Sequence, residues 1–124
     1  MIPKTKKVLV IDDDTDVLVL LKETLESNHF ECDTAISPTE GLEKALSSKP
    51  HLIILDLMLP GMSGFGFLRE LKKHKDLLKT PVVVLTALSD QEIAEESLSL
   101  GAKGYLSKAC NAKELVTMVQ AYSD

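Results

Sequence analysis

Adjacent carboxylates at Asp12 and Asp13, a third at Asp56, a hydroxyl at Thr86 and an ammonium at Lys108 each close an apolar run of this chain. Val8-Leu9-Val10-Ile11 stops at the first two, Leu52-Ile53-Ile54-Leu55 at Asp56, Val82-Val83-Val84-Leu85 at Thr86, and Tyr105-Leu106-Ser107 at Lys108. Carboxylates meeting at contact range repel by roughly 4 kcal/mol per pair in a surface-like dielectric, so a positive charge belongs among them. A hard cation meets that need. Two or three carboxylates with room for water and phosphate oxygens suit Mg²⁺, with Mn²⁺ as a substitute, better than an all-protein Ca²⁺ cage. Asp56 admits two roles, a further metal ligand or a nucleophile, because a carboxylate attacks phosphorus directly when cations neutralise the phosphoryl oxygens. The metal and Lys108 would supply that neutralisation, and Thr86 is placed to donate its hydroxyl to a phosphate oxygen. The ordinary alternatives are a strand threonine and a solvated lysine. Asp14 reads as a helix cap.

These residues meet only if the runs are neighbouring strands. Short, β-branched runs with little polar alternation are strands buried on both faces, as in a parallel sheet covered by helices. In such a sheet crossovers are right-handed and ligands lie beyond the carboxyl ends of the strands, which places every reactive residue on one edge. Val17, Leu18, Leu21 and Leu25 space a helix over about 14–27, and 30–35 alternates as a shorter strand. Ser37-Pro38-Thr39-Glu40 is a capping box with proline at the first helical position, before a stripe of Leu42, Ala45 and Leu46. Leu59-Pro60-Gly61-Met62-Ser63-Gly64 is a loop into a helix that buries Phe67, Leu68 and Leu71, with Gly66 a weak point. Ser89-Asp90-Gln91-Glu92 is a second capping box, and Gly101 stops the helix it opens. Residues 111–114 cap a last helix with a stripe of Leu115, Met118, Val119 and Tyr122. The alternation of strand and helix, five times over, is an α/β pattern.

The 124 residues suit one compact domain, with no repeat or linker to divide them. Acidic side chains outnumber basic ones 19 to 14, and Arg69 is the sole arginine, which argues against direct binding of nucleic acid. No apolar stretch reaches the length of a membrane span, and Met1-Ile2-Pro3-Lys4 leads into a strand with no signal-peptide core, so a cytoplasmic location is expected. Cys32 and Cys110 match no metal or redox spacing and read as reduced, partly buried thiols.

Taken together, four segments resemble the receiver domain of two-component response regulators. Val8-Leu9-Val10-Ile11-Asp12-Asp13-Asp14 is similar to the family's acidic opening, and Leu55-Asp56-Leu57-Met58-Leu59-Pro60-Gly61-Met62-Ser63-Gly64 to its phosphoacceptor segment. Leu85-Thr86-Ala87 and Gly101-Ala102-Lys103-Gly104-Tyr105-Leu106-Ser107-Lys108 follow in the right order. The resemblance implies one receiver domain over 1–124 with a flavodoxin-like (βα)5 doubly wound fold, strand order 2-1-3-4-5. Asp56 would be the phosphoacceptor, served by a phosphohistidine on a histidine kinase or a histidine phosphotransfer protein. Asp12, Asp13, Asp56 and the backbone carbonyl of Met58 would bind Mg²⁺; Thr86, Ala87 and Lys108 would hold the phosphoryl group. Tyr105 would turn inward after Thr86, carrying the signal to the face of the fourth helix, fifth strand and fifth helix and so to a downstream partner. Met58 and Leu88, two residues beyond the phosphoacceptor and the threonine, would flank the path of attacking water and shield the acyl phosphate.

One position departs from the family. Proline, joined by a cis bond, usually follows this lysine, and here it is Ala109. A cis bond without proline costs roughly 3 to 4 kcal/mol, so either the loop keeps that strained bond or, as is expected here, it runs trans and aims Lys108 differently. The function implied is a phosphorylation-controlled binding module that catalyses only its own phosphorylation and dephosphorylation. A degenerate receiver acting as a scaffold is the alternative. An aspartyl-phosphate phosphatase of the haloacid-dehalogenase kind needs a second acid where Met58 stands. A dinucleotide-binding domain is disfavoured because no Gly-x-Gly-x-x-Gly follows the first strand.

Overall fold

The computed structural model describes residues 5–59, 63–87 and 91–123. Five parallel strands, β1 (Lys7–Ile11), β2 (Glu31–Ala35), β3 (Leu52–Leu55), β4 (Val82–Thr86) and β5 (Gly104–Ser107), form one sheet in the order β2-β1-β3-β4-β5. The connecting helices are α1 (Thr15–Ser27), α2 (Pro38–Ser48), α3 (Gly64–Leu71) and α4 (Gln91–Ser99), and α5 (Ala112–Tyr122) ends the chain's regular structure. A short 3-10 turn at Lys75–Leu77, with no counterpart in the sequence reading, buries Leu77 between α3 and β4.

Alternation along the central strands divides the core into two layers. Val8, Val10, Leu52, Ile54, Val83 and Leu85 pack with Leu18, Leu21 and Leu25 of α1 and Leu115 and Val119 of α5. Leu9, Ile11, Ile53, Leu55, Val82 and Val84 pack on the other face with Ala45 of α2 and Phe67, Leu68 and Leu71 of α3. Both faces are therefore apolar, which is why these strands read as unbroken hydrophobic runs. With every interior position facing a helix layer, the first polar side chain after each run is displaced to the carboxyl edge.

The caps set where the helices begin and end. Asp14 accepts the N–H groups of Asp16 and Val17, so α1 starts one residue later than its periodicity suggests. Ser37 accepts the Glu40 N–H as the capping box requires, but the Glu40 carboxylate receives the N–H of Ile36 instead of Ser37 and also faces Lys44 at 3.7 Å. At α5 the reciprocal pair of Asn111 and Glu114 is complete. Gly101, at φ +107°, ends α4: its N–H reaches Leu98 O and that of Ala102 reaches Ser97 O, the two bonds of a Schellman stop. Ser89 and Asp90 of the second capping box lie outside the described residues. On α5, Leu115 and Val119 are buried and Met118 is half-buried, while Val116 joins them and Tyr122 is exposed. No helix among the described residues is long and apolar enough to cross a membrane.

Candidate functional site

Asp12 follows β1 directly, its N–H bonded to Ala35 O at 3.0 Å, and the residue is buried. One oxygen accepts the Asp14 N–H at 2.9 Å, which turns the chain into α1 and leaves Asp13 in solvent. Asp56 follows β3 with its N–H on Ile11 O at 3.0 Å, so the ends of β1 and β3 lie side by side. Asp56 is buried, and its Oδ1 accepts the Met58 N–H at 3.1 Å. One carboxylate oxygen from each of Asp12, Asp13 and Asp56 lies within 4.8 Å of the others.

Gly64, the first residue of α3, makes this approach possible. Its N–H bonds Leu57 O at 2.9 Å, and a Cβ built there would stand 2.5 Å from Leu57 Cα and 2.9 Å from Asp56 O. The helix can therefore start against the Asp56–Leu57 peptide only with glycine at that position.

Lys108 enters from β5. Its N–H bonds Thr86 O at 2.9 Å, and its ammonium lies 2.8 Å from Asp12 Oδ2 and 3.0 Å from Asp56 Oδ2. The Lys108–Ala109 bond is trans. The expected consequence of a trans bond, a lysine aimed elsewhere, does not follow: the side chain reaches both buried carboxylates. Burial raises the Asp12 pKa, and the Asp56 charge adds to it; the bonds from Lys108 and the Asp14 N–H act in the other direction without overcoming it. Burial pulls Lys108 down, but the two carboxylates outweigh it and its pKa rises. A single ammonium shared between two buried acids thus stays charged without fully relieving Asp12.

Thr86, the last residue of β4, is fully buried at the same edge and pairs in register with Ser107. Ala87 is exposed just beyond it. Tyr105 is half-buried and packs against the layer beneath α2 and α3. The Met58 side chain is 60% exposed beside the acidic cluster, and Leu88 lies outside the described residues. The edge thus gathers Asp12, Asp13 and Asp56, with the Lys108 ammonium in contact with Asp12 and Asp56 and with Thr86 and Met58 adjoining. Three oxygen donors at this spacing, two of them buried, fit a small hard cation. Sequence reasoning missed Gly64 and the Met58 N–H on Asp56, and it gave no role to Ser107, whose hydroxyl accepts the Ala109 N–H at 3.0 Å. The signal available for the last was a hydroxyl two residues before a free N–H.

A family model described as the response regulator receiver domain matches residues 8–120. The alkaline phosphatase synthesis transcriptional regulatory protein PhoP of Bacillus subtilis is 36% identical over 116 residues, covering 94% of this chain and 48% of that protein. The phosphate regulon transcriptional regulatory protein PhoB of Pseudomonas aeruginosa is 32% identical, covering 94% and 51%. The chain spans about half the length of the curated relatives it matches. Among solved structures, the chemotaxis response regulator CheY4 of Vibrio cholerae aligns with a TM-score of 0.90 at 30% identity, covering 96% of this chain and 99% of that one. A CheY-like receiver domain protein of Methanospirillum hungatei aligns with a TM-score of 0.89 at 29% identity, covering 98% and 95%.

Proposed function

The chain belongs to the response regulator receiver domain family, and from that membership we propose that Asp56 accepts a phosphoryl group from a phosphohistidine on a histidine kinase or phosphotransfer protein. The observation that carries the reading is the convergence of three carboxylates within 4.8 Å, with the Lys108 ammonium 3.0 Å from Asp56. In the transfer an Asp56 oxygen forms a bond to phosphorus as the phosphorus–nitrogen bond to histidine breaks. Asp12, Asp13 and Asp56, with the Met58 carbonyl, are the residues that would hold Mg²⁺ or Mn²⁺. When bound, such an ion neutralises phosphoryl oxygens and lets the acids approach an anionic donor.

The protein's own groups do the rest. The Met58 N–H on Oδ1 orients the Asp56 carboxylate, and Lys108, already charged and in contact with Oδ2, neutralises charge as the phosphoryl group arrives. The Thr86 hydroxyl and the region of Ala87 then close on the new group, and Tyr105 follows. A phosphoryl group shifts the protein between packings only by interacting differently with each, so the output face of α4, β5 and α5 responds through these contacts. Met58, and Leu88 by sequence position, shield the acyl phosphate. The protein works as a switch over 1–124 and turns over no separate substrate. Met58 supplies no second acid for a phosphatase.

Incubation with Mg²⁺ and acetyl phosphate, read by intact mass, tests this reading. A phosphoryl adduct is expected on the wild type, lost in EDTA and absent from Asp56→Ala. An adduct on Asp56→Ala as well refutes the assignment. No adduct on either protein, with none from a phosphohistidine donor, leaves the scaffold alternative.

A further inference from the structure

The ammonium of Lys108 reaches two buried acids from a loop of three residues between β5 and Asn111, the cap of α5. The direction of a side chain is set by the two peptide planes that flank its Cα. On one side the Lys108 N–H is held by Thr86 O at 2.9 Å. On the other, the N–H of Ala109 is held by the Ser107 hydroxyl at 3.0 Å, while Cys110 N–H closes the turn on Ser107 O at 3.0 Å. The Ser107 hydroxyl is thus the side-chain group that fixes the second plane. This bond exists only because residue 109 keeps an N–H, which proline would lack.

We propose that Ser107 is the positioning residue for Lys108: its hydroxyl pins the trans Lys108–Ala109 peptide, and so directs the ammonium onto Asp12 and Asp56. Ser107 directs its hydroxyl to the Ala109 N–H and acts through Lys108. The bond is made by a partly exposed hydroxyl, so the effect is that of one ordinary hydrogen bond multiplied by its leverage on a long side chain. The proposal rests on the reading of Lys108 as the group that neutralises the phosphoryl charge, but its geometric part stands apart from phosphorylation.

The experiment keeps the two apart. Urea midpoints are measured for the wild type, Ser107→Ala, Lys108→Ala and the double variant, in EDTA. Ser107→Ala is expected to lower the midpoint by about 0.3 to 0.7 M, as one hydrogen bond implies, and to lower it by less than half as much when Lys108 is already alanine. Equal losses in both backgrounds overturn the proposal, because a hydroxyl that merely supports the turn is indifferent to what residue 108 reaches. In parallel, the rate of phosphorylation by acetyl phosphate is expected to fall about threefold to tenfold in Ser107→Ala and to recover in Ser107→Thr, whose hydroxyl can make the same bond. If Ser107→Ala is phosphorylated at the wild-type rate, the positioning role is refuted. If coupling to Lys108 is found but no variant is phosphorylated, the positioning stands and the phosphoacceptor reading fails.

Discussion

Lys108→Ala separates the electrostatics of this site from its packing. The ammonium stands 2.8 Å from Asp12 and 3.0 Å from Asp56, and its side chain is 22% exposed while those of the acids are 3% and 4%. At such separations and an effective dielectric of 20, each attraction is worth roughly 5 to 6 kcal/mol before desolvation. Desolvating the three groups cancels most of that, yet removing one member of a buried ion pair costs about 3 to 5 kcal/mol because the others are left uncompensated. Partial exposure of the lysine moves the expected loss to about 2 to 4 kcal/mol near neutral pH in EDTA. Two further arms identify the cause. Asp12 already has a raised folded-state pKa, so in the variant the folded state gains a proton more readily than the unfolded chain, and the deficit shrinks as pH falls toward the carboxylate range. Under the proposed metal site, excess Mg²⁺ is expected to replace the missing positive charge and to shrink the deficit as well. Asp13→Asn has the opposite sign, stabilising the protein in EDTA while weakening its response to Mg²⁺. Equilibrium urea unfolding measures all of these. A Lys108→Ala loss below about 0.5 kcal/mol in EDTA, smaller than one ordinary hydrogen bond, or a loss that Mg²⁺ leaves unchanged, refutes the account.

Gly64→Ala places a Cβ 2.5 Å from Leu57 Cα, a backbone atom that cannot rotate away, so a loss of about 2 to 4 kcal/mol in urea unfolding is expected, as for overpacking against a rigid neighbour. Because Asp56 O is also in the way, slower phosphorylation by acetyl phosphate should accompany it; a variant as stable and as fast as the wild type contradicts the close packing described. Burial pushes the Cys32 thiol from 9.0 up to about 11. The unfolded chain therefore ionises first: stability is fully present below pH 9 and falls by about 2 to 3 kcal/mol as pH rises through the folded value. That loss should vanish in Cys32→Ala. At pH 8, native alkylation should mark half-buried Cys110 well before Cys32, and equal rates by mass spectrometry contradict the burial.

The strands were legible because both faces of the sheet are covered, so hydrophobic runs mark β1, β3 and β4 and their first polar residues mark the edge. Helix starts were legible at Asp14, Ser37 and Asn111, where a side chain makes the cap, but not at Ser63, whose hydroxyl caps α3 from within what read as a loop, and the Schellman stop at Gly101 followed from glycine. What escaped depends on distances and directions in the folded chain that residue type and spacing do not set. Glu40 chooses the N–H of Ile36 over that of Ser37, a difference of one residue that no pattern encodes. Gly64 looks like loop punctuation until Leu57 is seen against it. Lys108 could be placed at the edge, but its orientation after a trans bond depends on Thr86 O, which comes from another strand, and on Ser107 Oγ, whose bond to the Ala109 N–H the run itself does not reveal.

The same edge explains why a local change at Asp56 would be felt at α4 before the other helices. Among its described residues α4 buries only Ser97, whose hydroxyl turns back to Ile93 O at 2.8 Å, while Leu98 stays 48% exposed. By contrast α1 buries Leu18, Leu21 and Leu25, and α3 buries Phe67, Leu68 and Leu71. Hydrophobic anchoring scales with buried apolar area, so α4 is the helix held by the smallest share of it, through half-buried Ile93 and Leu100. Elements with few buried apolar contacts open or shift at the lowest free energy. Thr86 lies at the end of the strand that precedes α4, and Tyr105 packs into the same layer as Ile93 and Leu100. A phosphoryl group on Asp56 that draws Thr86 and then Tyr105 toward it therefore works against little anchoring at α4, and against two well-packed layers everywhere else. Under the proposed switch, weak packing of one helix converts a charge change at a sheet edge into a change of surface.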